Sequence, residues 1–356
     1  MTNSTPTLSH TIADIKAIIH REARRVTSYD VASLAGVSQS AVSRCFKPGA
    51  SVSKATYARV MQAAQDLDYI PNAAARSLIT RRSNLVAVIV AGAVSQHYAE
   101  VLSELSRQFS LRGMHIILFN LSSESEMERT LAEVWQHQVD GAVVAARLSD
   151  GQVAEFERRN VPLVLFNRSV AGRAVSAVVC DQEEAARAMV SRLAAGGHKR
   201  FAMIDGPAQS PIAQQRKRGM AGRLAELGLP APLAVAGGFD YASGARGLRE
   251  IIDRFGGVPD VIVCGNDLMA IGCLDTARHE FHIDVPARLS VTGFDGIAAS
   301  SWISYNLTTM RQPLLSMAQA AAEMLVGLVG GTGSAQEQRS YSATLVDGAT
   351  ARLGPA

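Results

Sequence analysis

What this sequence lacks narrows it first. Aromatic residues are only 5% of the 356, against 47% hydrophobic, so the apolar material is aliphatic and plentiful enough for more than one core. Yet it nowhere collects into a run of about 18 apolar residues, so no membrane-spanning helix is expected. The N-terminal MTNSTPTLSHTIADIK has no basic start followed by an apolar stretch, and a secretory signal is not expected either. Cysteine is scarce. Cys45, Cys180, Cys264 and Cys273 are scattered without a C-x-x-C pair, which fits reduced thiols in a cytoplasm better than a disulfide framework or a zinc site. Catalytic signatures are missing as well: there is no G-x-S-x-G, no H-E-x-x-H and no G-x-x-x-x-G-K-[ST].

Charge is present in both signs but unevenly placed. Residues 1–82 carry 11 Lys and Arg against 5 Asp and Glu, whereas the remainder carries 24 against 27. A basic head on a mildly acidic body points to a polyanion as the head's partner.

Past residue 83 the sequence alternates short, nearly continuous apolar runs with amphipathic segments. LVAVIVAG, HIILFNL, DGAVVAA, VPLVLFN, SAVVCD, RFAMIDGP, PDVIVCGND and LSVTGFDG read as strands buried on both faces. Between them, stretches such as EEAARAMVSRLAAGGHK read as helices. Strand–helix alternation over some 270 residues predicts two α/β lobes with parallel sheets.

Before that point the chain reads as short helices. In SYDVASLAGVSQSAVSRCF, Ala32 permits close helix approach, Gly36 permits a positive φ in a tight turn, and Ser38 caps a second helix. That is the pattern of a helix-turn-helix whose second helix opens with Gln39 and Ser40 and enters a major groove. Gln39 can bond adenine bidentately, Arg44 guanine, and Ser40 either base.

VTSYDVASLAGVSQSAVSRCF and VSKATYARVMQAAQDLDYIPNAAARSL closely resemble the DNA-binding head of the LacI/GalR family of transcriptional repressors. The likeness continues in order through LVAVIV, DGAVV, VPLVLFNR, GHKRFAMIDGP, RKRGM, VIVCGNDLMAIG, LSVTGFDG and LTTMRQP. The resemblance implies an all-α helix-turn-helix domain at 26–71, a hinge at 72–83, and a body at 84–356 built like a periplasmic sugar-binding protein. Its two lobes are expected at about 84–180 with 308–335, and 181–307 with 336–356. Residues 1–25 depart from the family pattern, and ADIKAIIHREARR within them reads as an extra amphipathic helix. The chain lacks the C-terminal leucine heptads of tetrameric members, so a homodimer is expected.

The resemblance also assigns roles. Gln39, Ser40 and Arg44 occupy base-reading positions, and Thr27, Tyr29, Ser38, Ser43, Ser53 and Thr56 occupy positions that contact the DNA backbone. Asn72 begins a hinge helix too short to be stable alone, and Leu78 sits where the family wedges a leucine into the minor groove. Ligands of open α/β folds lie beyond the carboxyl ends of strands, which picks out Asn167, Arg168, Asp181, Asp267 and Asp295. The family adds Arg216, an aromatic ring at Phe239 and, on the first lobe's wall, Tyr98. Amides, carboxylates and guanidiniums suit a polyhydroxylated ligand, and Arg168 with Arg216 also admits a sugar acid or sugar phosphate. The expected protein is thus a cytoplasmic, ligand-controlled regulator of a near-palindromic operator, with no cofactor, metal or membrane partner. Two alternatives are an enzyme, which the missing signatures disfavour, and a periplasmic sugar binder, which the basic head disfavours. His279 and His282 of HEFH read as surface, and GGTGS at 330–334 as a crossover linker between lobes.

Overall fold

The computed structural model describes residues 11–47, 49–71, 82–91, 96–170, 172–334 and 336–355. Contacts divide the chain into two units, Met1–Ser83 and Asn84–Ala356.

The first unit holds α1 (Ile12–Arg21), α2 (Ser28–Ala35), α3 (Gln39–Cys45) and α4 (Lys54–Asp66). Each starts at a hydroxyl residue (Thr11, Thr27, Ser38, Ser53), because a short oxygen-bearing side chain can meet the amides that a first turn leaves unbonded. α2 stops at Gly36, whose left-handed backbone (φ 62°) turns the chain sharply into α3. Small and branched residues fill the core: Val31, Ala32, Ala35, Val42, Val60, Ala63, Ala64 and Leu67, joined by Ile15 of α1. With Ile15 only 4% exposed, α1 is an integral part of this core and no loose tail.

The second unit contains two six-stranded sheets. The first is built from β1 (Leu85–Ala91), β2 (His115–Leu121), β3 (Gly141–Ala145), β4 (Leu163–Phe166), β5 (Ala177–Cys180) and β11 (Gln338–Tyr341), in the order β11-β5-β4-β3-β1-β2, all parallel. The second is built from β6 (Phe201–Ile204), β7 (Leu233–Val235), β8 (Val261–Cys264), β9 (Ser290–Asp295), β10 (Thr308–Arg311) and β12 (Thr344–Val346), in the order β12-β10-β9-β8-β6-β7, with only β12 antiparallel. Helices cover both faces. On the first sheet Val86, Val88 and Val90 pack one way, with α5 (Gln96–Ser110) and α12 (Leu314–Val329), while Ala87 and Ile89 pack the other, with α6 (Met127–Gln136) and α7 (Asp150–Arg158). The period-two alternation of a strand buried on both sides accounts for this split. On the second sheet, α8 (Gln182–Ala195) and α9 (Pro211–Glu226) lie opposite α10 (Tyr241–Phe255) and α11 (Asp267–His279).

Strand membership corrects the expected lobe boundaries. Thr308–Arg311 pairs with β9, so it belongs to the second lobe, and the chain returns to the first lobe only after Arg311. Gln338–Tyr341 pairs with β5, so it belongs to the first lobe, and the final passage lies between Tyr341 and Thr344. GGTGS therefore joins α12 to β11 within one lobe and is not a crossover. The passages between sheets fall between β5 and α8, between β10 and α12, and between β11 and β12.

Candidate DNA-reading face and effector cleft

In the head, α3 is fixed on its inner side by fully buried Val42 and at its start by Ser38, whose Oγ accepts from Ala41 N at 3.3 Å. Ser40 and Arg44 are exposed, as a reading surface requires. Gln39 is half-buried, and its Nε2 donates to Ser28 Oγ at 3.1 Å, which ties the start of α3 to the start of α2. That bond uses one of the two amide hydrogens, so the other hydrogen and Oε1 stay free for a base. Tyr29 is 71% exposed. Thr27, Ser38 and Ser53 all prove to be helix caps: Thr27 N and Oγ1 donate to Asp30 Oδ2 at 2.8 and 2.7 Å, and Ser53 Oγ accepts from Thr56 N at 3.2 Å. Capping and phosphate contact are compatible, since helix starts present amide dipoles favourable to an anion. Ser43 is half-buried, and Asn72 and Leu78 lie outside the described residues.

Arg24 closes this arrangement from outside α2. Its guanidinium donates to both Asp30 oxygens, at 2.6 and 2.8 Å, and to Glu22 at 2.7 Å. Those hydrogen bonds hold the Asp30 carboxyl down at about 2.

In the body, several expected ligand residues meet each other. Arg216, on α9 and 4% exposed, uses all three nitrogens: Nε donates to Gln182 Oε1 at 2.9 Å, Nη2 to Asp295 Oδ1 at 2.7 Å, and Nη1 to the Gly265 carbonyl. Its guanidinium lies over the Phe294 ring, 3.6 Å from the centroid. Asp295 Oδ1 also accepts from Gln312 Nε2 at 2.9 Å. Gln312 Oε1 in turn accepts from Asn167 Nδ2 at 2.9 Å and Gln182 Nε2 at 3.3 Å. One polar chain thus runs from the second lobe through Gln312, in the passage between β10 and α12, to the first lobe. Two of its members, Gln182 and Gln312, and Asn266 beside it, are absent from the expected set. Asn266 and Gln312 sit within the motifs VIVCGNDLMAIG and LTTMRQP, and for Asn266 the available signal was a polar residue ending an apolar run.

Backbone strain gathers at the same place. Asn167 (φ 51°), Phe239 (φ 63°) and Asp295 (φ 109°) all follow or end strands in the left-handed half of backbone space. For a bulky residue such as Phe239 this is a true outlier, and strain of about 1–3 kcal/mol persists only where surroundings enforce it. Asn266 supplies part of that enforcement, donating to the Phe239 carbonyl at 3.0 Å.

Other expected residues are spent elsewhere. Asp267 is fully buried: Oδ1 accepts from Thr309 Oγ1 at 2.5 Å and Oδ2 from Ile297 N at 2.8 Å. It therefore fixes the turn after β9 and offers no oxygen to a cleft. Burial, helped by the Asp295 charge, pushes its carboxyl up to about 7. Asp181 is exposed and caps α8, accepting from Glu184 N at 2.9 Å. Arg168 donates to the Asn167 carbonyl at 2.8 Å. The Tyr98 side chain lies outside the described residues.

Beside Gln312 an open cavity of about 470 Å³ is lined by Glu100, Gly296, Ala298, Arg311 and Leu315, and Ala298 N donates to Glu100 across it at 3.2 Å. A larger recess of about 650 Å³, lined by Tyr241, Arg249, Asp275 and Tyr305, includes none of the expected residues. Among the described residues no group of three or more His, Cys, Asp or Glu could hold a metal ion, and no helix is long and apolar enough to cross a membrane.

Comparison with known proteins decides the identity of this architecture. Residues 27–72 match the bacterial regulatory proteins of the lacI family, and residues 190–351 match the periplasmic binding protein-like domain. Catabolite control protein A of Priestia megaterium is 30% identical over 305 residues, covering 84% of this chain and 91% of that protein. The chain belongs to the LacI family of bacterial regulators. The HTH-type transcriptional regulator CelR of Thermobifida fusca is 31% identical over 318 residues, covering 86% and 93% of the two chains. Among solved structures, the lac repressor dimer bound to operator and the anti-inducer ONPF superposes with a TM-score of 0.83 at 26% identity, covering 92% and 99%. A CelR–cellobiose complex gives 0.70 at 28% identity, covering 92% and 100%. The enzyme alternative falls with this assignment, since LacI-family members act as transcriptional regulators.

Proposed function

We propose that this LacI-family regulator is a cytoplasmic homodimer that represses transcription from a near-palindromic operator and is controlled by a sugar or sugar derivative bound between the two lobes. The observation that carries the proposal is the chain Arg216–Asp295–Gln312–Asn167, because it joins ligand-type side chains of both lobes through a crossover residue. A ligand whose hydroxyls take over some of those bonds changes which lobe arrangement is favoured, and only such differential binding shifts a two-state equilibrium. Arg216, Asp295 and Asn167 are proposed to meet the ligand's polar groups and Phe239 its apolar face. Asp267 acts by positioning Asp295, and Asp181, Arg168 and Tyr98 form the rim.

On DNA, Gln39, Ser40 and Arg44 read bases, while Thr27, Tyr29, Ser38, Ser43, Ser53 and Thr56 fix register on phosphates. Residues 72–83 serve as the hinge, with Leu78 of each subunit wedging the minor groove. The relatives support this reading: the lac repressor was solved as a dimer on its operator, and CelR with cellobiose. Exposed Trp302 and Ile303 (54% and 99%) offer apolar surface for self-association.

The test has two arms. Selection from random duplexes should return a two-fold symmetric site bound by a dimer. A thermal-shift screen of sugars, sugar acids and sugar phosphates should find a compound that raises the melting temperature and changes operator affinity. A bound monomer on an asymmetric site, or a stabilising ligand without effect on DNA binding, would overturn the proposal.

A further inference from the structure

The family match begins at residue 27, so α1 and the link to α2 are not explained by family membership. They are nonetheless built structure. The Thr11 hydroxyl and the Asp14 carboxylate cap the start of α1 reciprocally, with Asp14 N bonded to Thr11 Oγ1 at 3.2 Å and Thr11 N to Asp14 Oδ2 at 3.0 Å. Ile15 and Ile19 anchor it on the head's core. Its end is shaped too: Ala23 adopts a left-handed backbone (φ 48°), and Arg24 N returns to the Ile19 carbonyl at 3.3 Å. Arg24 then pins the link to the first turn of α2 through Asp30.

What this scaffold presents is positive charge. Lys16, Arg21 and Arg25 are exposed and form no ion pair among the described residues, whereas both acids of the segment are engaged, Asp14 in the cap and Glu22 with Arg24. Arg25 lies two residues before Thr27, and the start of α2 is tied to the start of the reading helix by the Gln39–Ser28 bond. Arg25 therefore lies next to the edge along which α2 and α3 begin, and Arg21 ends the helix that the link joins to it.

We propose that α1 and its link form an additional phosphate-binding element, which extends the head's footprint onto the DNA backbone flanking each half-site through Arg21 and Arg25, with Lys16 further out. This rests on the DNA-binding reading above and adds a contact that carries no sequence information. Pinning by Arg24 matters because a cation held in place loses less freedom on binding than one on a loose tail.

The experiment compares full-length wild-type protein with the Arg21→Gln/Arg25→Gln and Lys16→Gln/Arg21→Gln/Arg25→Gln variants. Each is titrated onto its selected operator and onto a scrambled duplex between about 50 and 200 mM salt. Neutral surface replacements leave Ile15 and the caps intact, so circular dichroism and melting temperature should match wild type. The expected result is an equal fractional loss of affinity on both duplexes, roughly tenfold or more at low salt. The slope of log affinity against log salt should shrink by roughly 3 to 4 in the double variant, the value expected when each of two subunits neutralises two phosphates fewer. Unchanged affinity and slope would make α1 a brace for the core and overturn the proposal. Loss confined to the operator at unchanged slope would also overturn it, by making these arginines base readers. A wild-type protein that does not prefer operator to scrambled duplex would instead refute the underlying DNA reading, and Arg44→Ala serves as the control for that preference.

Discussion

The head and the body place their candidate functional side chains in opposite ways. Around α3 most polar groups are exposed, and their capping bonds span only a few residues, Ser38 to Ala41, Ser53 to Thr56 and Thr27 to Asp30, with the Gln39–Ser28 bond spanning 11. In the body the polar groups are buried or half-buried, and their bonds span 17 to 145 residues: Gln312 to Asp295, Arg216 to Gln182, Arg216 to Asp295, Gln312 to Asn167. A surface that reads a rigid polymer needs a helix stable on its own terms, so local caps suffice. A site that must respond to a small molecule needs groups whose partners can be exchanged, and exchange matters energetically only where water is excluded.

The contrast can be broken most forcefully at Arg216. Arg216→Ala leaves the buried Asp295 carboxylate and the Gly265 carbonyl without their guanidinium, and removing one partner of a buried pair costs about 3–5 kcal/mol. Urea titration should show that loss in the transition of the body, with the helical signal of the head unfolding where it did before. A body transition within error of wild type would mean that the polar chain contributes nothing to stability.

Asp267 sharpens the comparison through pH. The native body holds this proton up to about pH 7, whereas the unfolded chain releases it near 3.8. Within that window the native state binds more protons than the unfolded one, so stability should fall as pH rises, by a few kcal/mol in all. Melting temperature of the body should decline between about pH 4 and pH 7, and Asp267→Asn should flatten the decline. An identical pH profile in the variant would place the dependence elsewhere.

Arg44→Ala works from the other side. It should weaken operator binding by about 1–3 kcal/mol and relax preference at one position per half-site, while the urea transition of the body stays fixed. Smallest of all, Ser53→Ala should lower the stability of the head by about 1 kcal/mol through loss of the α4 cap, read by its thermal melt.

The same contrast explains how much the sequence disclosed. Strands such as Val261–Cys264 and helices with hydroxyl caps were legible because local composition dictates them. So was the reading helix, since Gly36, Ser38 and Val42 sit within seven residues. Thr308–Arg311 and Gln338–Tyr341 were misplaced because neither is a continuous apolar run, and which sheet each joins is settled by distant partners. Gln182 and Gln312 were overlooked for a related reason. A single glutamine has no local signature; Gln312 matters because it meets Asp295 and Asn167, and Gln182 because it meets Arg216 and Gln312. Asp267 was legible as a residue of interest, but the direction of its carboxylate depends on Thr309, 42 residues away.

The placement of the four thiols also gives the molecule a built-in labelling chemistry. Cys180, Cys264 and Cys273 are buried in the body, and burial pushes the Cys180 thiol up to about 11 and that of Cys264 well above its ordinary value, so neither forms much thiolate near neutrality. Cys45 is only half-buried and ends the reading helix, next to Arg44. A maleimide fluorophore applied to the folded protein should therefore attach at one place. That place lies on the helix proposed to read DNA, so its emission would report operator docking without any engineered residue.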